Sequence, residues 1–247
     1  MKQLYFYIIG IVFMLSCDLD IGFANGGIGG EAVSQGGSTA KFAISGDYLY
    51  VIDDTELSTF NISSPNETRF LNKLLLNTIQ LETIFPFGNL LFLGSTTGVL
   101  IVDISNPGTP RFISEYQHVL SCDPVVTDGD YAYVTLRSGN FCGQVDDELQ
   151  IIDLSNILDP VVIAQYPMNS PKGLAINGNI LFVCDAGVKI FDVTDKLNIV
   201  LLSQIPNIPA NDVIYFNNQL LVTADNGFYQ FNVSDVLDIT QIGQFSF

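Results

Sequence analysis

The chain has 247 residues, 48% of them hydrophobic and only 14% charged. That is enough apolar material for one well-buried domain and excludes an intrinsically disordered chain. The formal charge of −17, from nine Lys and Arg against 26 Asp and Glu, repels phosphate backbones and excludes nucleic acid as a partner.

The first element in chain order is a targeting segment, residues 1–16. Lys2 supplies the positive start, and Leu4 to Leu15 is almost wholly apolar. The run is too short for a permanent transmembrane helix and has the order of a signal peptide. It ends at Met14-Leu15-Ser16-Cys17, which resembles a bacterial lipobox. The resemblance implies that the Cys17 thiol is lipidated and that Cys17 becomes the new N-terminus. Acyl chains would then hold the protein on a membrane, at about 0.8 kcal/mol per buried methylene. Residues 17–38 follow as a tether. Asn25-Gly26-Gly27-Ile28-Gly29-Gly30 and Gln35-Gly36-Gly37-Ser38 have the composition of a flexible linker. The alternative is that part of this stretch packs on the domain as an additional strand.

Residues 39–247 hold five copies of one unit of about forty residues. Each unit has an apolar run, a two-residue turn, a second apolar run, a further turn and a third run. The third run ends in an Asp or Asn, an apolar residue and a hydroxyl residue. The first turns are Gly46-Asp47, Gly88-Asn89, Gly129-Asp130, Gly178-Asn179 and Asn217-Asn218, pairs that suit tight hairpins. The closing triplets are Asn61-Ile62-Ser63, Asp103-Ile104-Ser105, Asp153-Leu154-Ser155, Asp192-Val193-Thr194 and Asn232-Val233-Ser234. A fourth apolar run completes each unit. Such a meander is one four-stranded antiparallel sheet. Radial copies of it make an all-β propeller of five blades. The runs are apolar on both faces, as blades sandwiched between neighbours require.

Val99-Leu100-Ile101-Val102-Asp103-Ile104-Ser105 and its counterparts at 149–155 and 188–194 resemble the LVIVD repeat. That repeat is known from bacterial and archaeal cell-surface proteins and is understood as a propeller blade. The resemblance spans roughly residues 39–247. It implies a propeller fold in the bacterial cell envelope, on the outer membrane or cell surface. It implies no established chemistry.

The repeated Asp103, Asp153 and Asp192 are expected to be turn caps. Asn61 and Asn232 replace them without disturbing the pattern, and an amide can cap a turn but cannot serve as a general acid or base. The third copy departs from the others in its hairpin between second and third strands, residues 136–148. Long loops on rigid scaffolds carry function. Asp123, Arg137, Asp146, Asp147 and Glu148 are therefore the candidate ligand-binding face. In a four-stranded meander the entry to strand one lies at the same end as the turn between strands two and three. Cys122 and Cys142 are thus placed to form a disulfide, worth about 3 kcal/mol for a loop of about twenty residues. Cys184 ends an apolar run and is expected to be a small buried thiol. His118, the single histidine, reads as a loop residue and excludes a multi-histidine metal site. No dinucleotide or phosphate-loop motif is present. No catalytic residue, metal site or cofactor is expected, with a calcium-bridged acidic surface as the alternative.

The expected function is a lipid-anchored, non-catalytic binding or adhesion scaffold. Its partners would be the membrane, through Cys17, and an extracellular protein or glycan. The alternative is an extracellular polysaccharide hydrolase or lyase using Asp123, Asp146 and Asp147 with Arg137. That chemistry needs two carboxylates about 5–10 Å apart in a concave site.

Overall fold

The computed structural model describes residues 37–78, 80–117, 124–138 and 146–247. Cys17, His118, Cys122, Asp123 and Cys142 lie outside them, as do the signal segment, most of the tether and the expected Cys122–Cys142 bridge. The described residues form five four-stranded antiparallel sheets and no helix. The first sheet is β1 (Phe42–Ser45), β2 (Tyr48–Asp53), β3 (Glu56–Ser64) and β4 (Glu67–Leu75). The second is β5 (Leu81–Phe87), β6 (Leu90–Ser95), β7 (Gly98–Asp103) and β8 (Arg111–Gln117). The third is β9 (Val125–Thr127), β10 (Tyr131–Leu136), β11 (Glu148–Asp153) and β12 (Val161–Pro167). The fourth is β13 (Leu174–Asn177), β14 (Ile180–Cys184), β15 (Val188–Asp192) and β16 (Val200–Ile205). The fifth is β17 (Ala210–Phe216), β18 (Gln219–Ala224), β19 (Gly227–Asn232) and β20 (Thr240–Ser246). Each sheet pairs its strands in sequence order, so every blade is a complete meander. The arrangement is a five-bladed β-propeller.

The turn chemistry accounts for the meanders. Gly46, Gly88 and Gly178 open two-residue hairpins with φ of 54°, 54° and 56°, while Asn217 and Asn218 take 49° and 59°. Both patterns follow the right-handed twist of the flanking strands. The third copy keeps the expected two-residue turn, Gly129-Asp130, between Asp128 and Tyr131, whose backbones are joined by Asp128 N–H donating to Tyr131 O at 3.2 Å. There the Asp128 carboxylate, in place of its carbonyl, accepts from the Tyr131 amide, and from the Asp130 amide as well.

The closing triplet is an Asx turn in all five blades. The hydroxyl residue's amide donates to Asn61, Asp103, Asp153, Asp192 and Asn232 at 3.1, 2.7, 2.7, 2.8 and 3.0 Å. Hydrogen bonds from Ser105, and then Arg111, hold the Asp103 carboxyl down to about 2. Asp153 and Asp192 are lowered in the same way by Ser155 and Thr194. Because these folded values are depressed, the stability they supply is present above the ordinary carboxylate value. It is lost as pH falls through the folded value. These are caps, as the sequence indicates. One residue before each cap the register slips between third and fourth strands, for example between Ile151 and Ile152 and between Ile190 and Phe191. The repeated bulge bends and twists the outer strand of each blade.

Blades pack through apolar clusters that join the first sheet to the second, second to third, third to fourth and fourth to fifth. Hydroxyl groups cross the same boundaries. Tyr50 donates to Pro107 O, Ser114 to Ile157 O, Tyr166 to Lys196 O and Ser203 to Val236 O. Lys196 also reaches from the fourth blade into the third, 3.3 Å from Asp128 and over the rings of Tyr131 and Tyr133. Among the described residues, no apolar cluster joins the fifth sheet to the first, and no hydroxyl bond from an outer strand to the next blade's loop carbonyl crosses that boundary. The sequence suggested that every blade is buried on both faces. That holds for the second, third and fourth blades. In β2, β18 and β19 burial alternates instead, because among the described residues one face of each terminal blade belongs to no apolar cluster with a neighbouring sheet.

Candidate functional site

The inner strands β1, β5, β9, β13 and β17 pack side by side in that order around the axis. The chain enters each of them at one end of the propeller, where the turns between second and third strands also lie. A cavity of about 280 Å³ opens there, lined from all five blades. Thr39 comes from the first blade, Glu82 and Thr83 from the second, Pro124 and Arg137 from the third. The fourth contributes Pro171, Lys172 and Gly173, and the fifth Asn211. The volume is at the small end of ligand sites. It admits a small molecule or the terminal group of a larger one.

Lys172 is placed by its backbone. Its amide donates to Cys184 O at 2.8 Å, and its carbonyl accepts from Thr135 Oγ1 at 2.6 Å. The loop before it is held by Asp185, a buried carboxylate. Asp185 accepts from the amides of Asn169 and Ser170 and pairs with Lys189 at 2.6 Å. Lys172 Nζ donates to Asn211 Oδ1 at 2.5 Å, and Asn211 Nδ2 to Asp225 at 2.7 Å. The ammonium is thus aimed across the mouth toward the fifth blade.

Asp212 lies beside the cavity and joins the two ends of the ring. Its carboxylate accepts from Ser38 Oγ at 3.0 Å, Thr39 Oγ1 at 2.7 Å, and the amides of Thr39 and Val213. Ser38 Oγ in turn accepts from the Leu174 amide at 2.8 Å. A Cβ at Gly37 or Gly173 would overlap this carboxylate, so both positions must be glycine for the approach. Burial raises the Asp212 pKa against the opposing effect of those hydrogen bonds, Thr39's the strongest. Cys184 is buried and free. Burial, then the nearby Asp212 charge, pushes its thiol up. It is an inert core residue, as expected.

The candidate face from the expanded loop is divided. Arg137 lines the cavity. Asp147 instead accepts from the Ser138 amide at 2.6 Å, bracing the loop. Glu148 accepts from Gln150 and Gln165 on the sheet, and Asp146 is exposed. Among the described residues, Glu82 is the single carboxylate lining the cavity, so no pair drawn from Asp146 and Asp147 converges there. Lys172, Asn211, Thr39, Glu82 and Asp212 were not singled out by sequence. The available signal was positional: each precedes or opens the first strand of a copy. Among the described residues, no group of His, Cys, Asp and Glu could hold a metal ion.

Residues 36–69 and 87–118 match the LVIVD repeat. The chain carries LVIVD repeats. The matched segments cover most of the first two blades, and the remaining three blades share their four-stranded order. No curated protein matches the chain. Among solved structures, a protein of unknown function from Desulfotomaculum acetoxidans superposes with a TM-score of 0.67 at 12% identity. The match covers 88% of this chain and 71% of that one. A protein from Lactobacillus plantarum gives 0.61 at 15%, covering 81% and 68%. The periplasmic gluconolactonase of Pseudomonas aeruginosa gives 0.61 at 13%, covering 81% and 69%. At these identities the likeness is one of fold.

Proposed function

We propose that this LVIVD-repeat propeller is an envelope lipoprotein that binds, without catalysis, a small acid or the acidic terminus of a glycan at its axial mouth. The supporting observation is the charge distribution. The chain has nine cationic residues against 26 acidic ones, yet Arg137 and Lys172 both line the same small cavity. Two cations beside hydroxyl and amide groups suit a carboxylate or phosphate on a polyhydroxylated ligand. Among the described residues a single carboxylate, Glu82, lines the cavity, which gives no support to two-carboxylate glycoside chemistry. The fold-level likeness to a periplasmic gluconolactonase is a precedent for a propeller working in the envelope on a small polar molecule.

The binding half is tested with the soluble domain on an array of glycans and sugar acids, with and without calcium. Lys172→Ala and Arg137→Ala are each expected to weaken the best hit by about tenfold or more, the scale of a charge-assisted hydrogen bond. A hit insensitive to both substitutions places binding elsewhere. The anchor half rests on Lys2, the apolar run and Cys17. Cys17→Ala is expected to move the protein from the membrane to the soluble fraction; continued membrane association overturns it.

A further inference from the structure

The fifth blade has a partly exposed, largely uncharged face, on which Thr223 and the hydrogen-bonded pair Gln219 and Gln230 sit among apolar side chains. Strand register puts Ile214, Phe216, Leu221, Phe228 and Phe245 on the side away from the fourth blade. Phe216, Phe228 and Phe245 are 51%, 36% and 67% exposed. The first blade mirrors this. Phe42, Ile44, Leu49, Val51 and Phe60 lie on the side away from the second blade, with Phe42 57% exposed. On the fifth blade's face β17 carries one charge, Asp212, and Ser38 and Thr39 engage it at the axis. In a chain of net charge −17, a face with one charge and three exposed phenylalanines marks a contact surface.

The described chain begins at Gly37, at the axial end of this seam. Ser38 bridges Asp212 of the fifth blade and the Leu174 amide of the fourth, which fixes where the preceding residues leave. Residues 18–36 are then tethered at the seam itself. At about 3.3 Å per residue they reach several times the length of a six-residue strand. They carry Ile21, Phe23, Ile28 and Val33 among glycines, with Asp18, Asp20 and Glu31 as the only charges. Tethering gives them an effective concentration in the millimolar range or above. A second copy of a chain this acidic is repelled. We infer that residues 18–36 dock between the fifth and first blades and complete the apolar packing of the ring. The segment between the lipidation site and the propeller is then a structural wedge as well as a tether. Docking would set the distance at which the axial mouth stands from the membrane.

The test uses the full chain with a photoreactive p-benzoylphenylalanine at position 228, and separately at 245. After irradiation, mass mapping is expected to find adducts joining these positions to residues 18–36 within one chain. The same probe at position 237, an exposed rim site, should give none. Ile28→Asp combined with Val33→Asp is expected to cut the adduct yield about fivefold or more, since a docked carboxylate must be desolvated. Adducts to residues 42–70 would mean that the first and fifth blades close on each other. Adducts between chains would mean that a second copy covers the face. No adduct at all would mean that the face is bare. Each of these three outcomes overturns the inference, and none bears on ligand binding at the axial mouth.

Discussion

Phe182→Ala is expected to lower the free energy of unfolding by about 3–5 kcal/mol. Phe182 is 1% exposed in the cluster that joins the fourth and fifth blades. Its ring stacks on Tyr215 of the fifth blade, with centroids 5.8 Å apart. Removing the ring leaves a cavity between two sheets whose separation is set by all the other side chains of the cluster, so little collapse is available to fill it. For a chain of this size the melting temperature should fall by roughly 2–4 °C per kcal/mol. Leu237→Ala supplies the contrast. Leu237 is 71% exposed in the outer turn of the fifth blade, and its loss should cost under about 0.5 kcal/mol. Thermal unfolding of the two variants checks both values. Equal losses would mean that the cohesion of the ring does not reside between blades.

The blades were legible in the sequence because their signals are local. A Gly or Asn pair fixes each hairpin, and an Asx side chain caps each third strand two residues ahead of itself. An apolar run of five or six residues fits one strand. Arg137 was legible for a different reason, since the expanded loop breaks the repeat. Lys172, Asn211 and Asp212 were not legible. Each blade contributes only one to three residues to the cavity, from separate points in the chain, and no spacing connects Thr39 with Asn211. The seam was hidden by the same limit. Leu221 on the seam face and Leu181 in the core sit in similar apolar strands, and a hydrophobicity pattern records that a side chain seeks a partner without recording whether the fold supplies one. The two-residue turn expected at Gly129-Asp130 is present, and what the pattern did not show is that the Asp128 carboxylate, in place of its carbonyl, accepts from the Tyr131 amide.

The second large effect is expected at Asp212, the residue that ties the start of the ring to its end. Asp212→Ala removes the acceptor for Ser38 Oγ and Thr39 Oγ1 and leaves both hydroxyls beside a partly buried gap. The expected cost is about 1–3 kcal/mol. Asp212→Asn separates charge from hydrogen bonding. The Asp212 pKa is raised by burial from the ordinary 3.8, so the folded chain retains a proton that the unfolded chain has already released. Stability from this group is therefore fully present below the unfolded value and is lost as pH rises through the folded value. Asparagine resembles the protonated acid: it keeps an acceptor for Ser38 and Val213 and never ionises. Asp212→Asn is therefore expected to match the parent near pH 4 and to exceed it at pH 7–8, while Asp212→Ala falls below the parent throughout. Melting curves for the three proteins across that range read the difference directly. A parent that gains on Asp212→Asn as pH rises would mean that the ionised carboxylate is the favoured form at the closure, its four hydrogen bonds outweighing its burial.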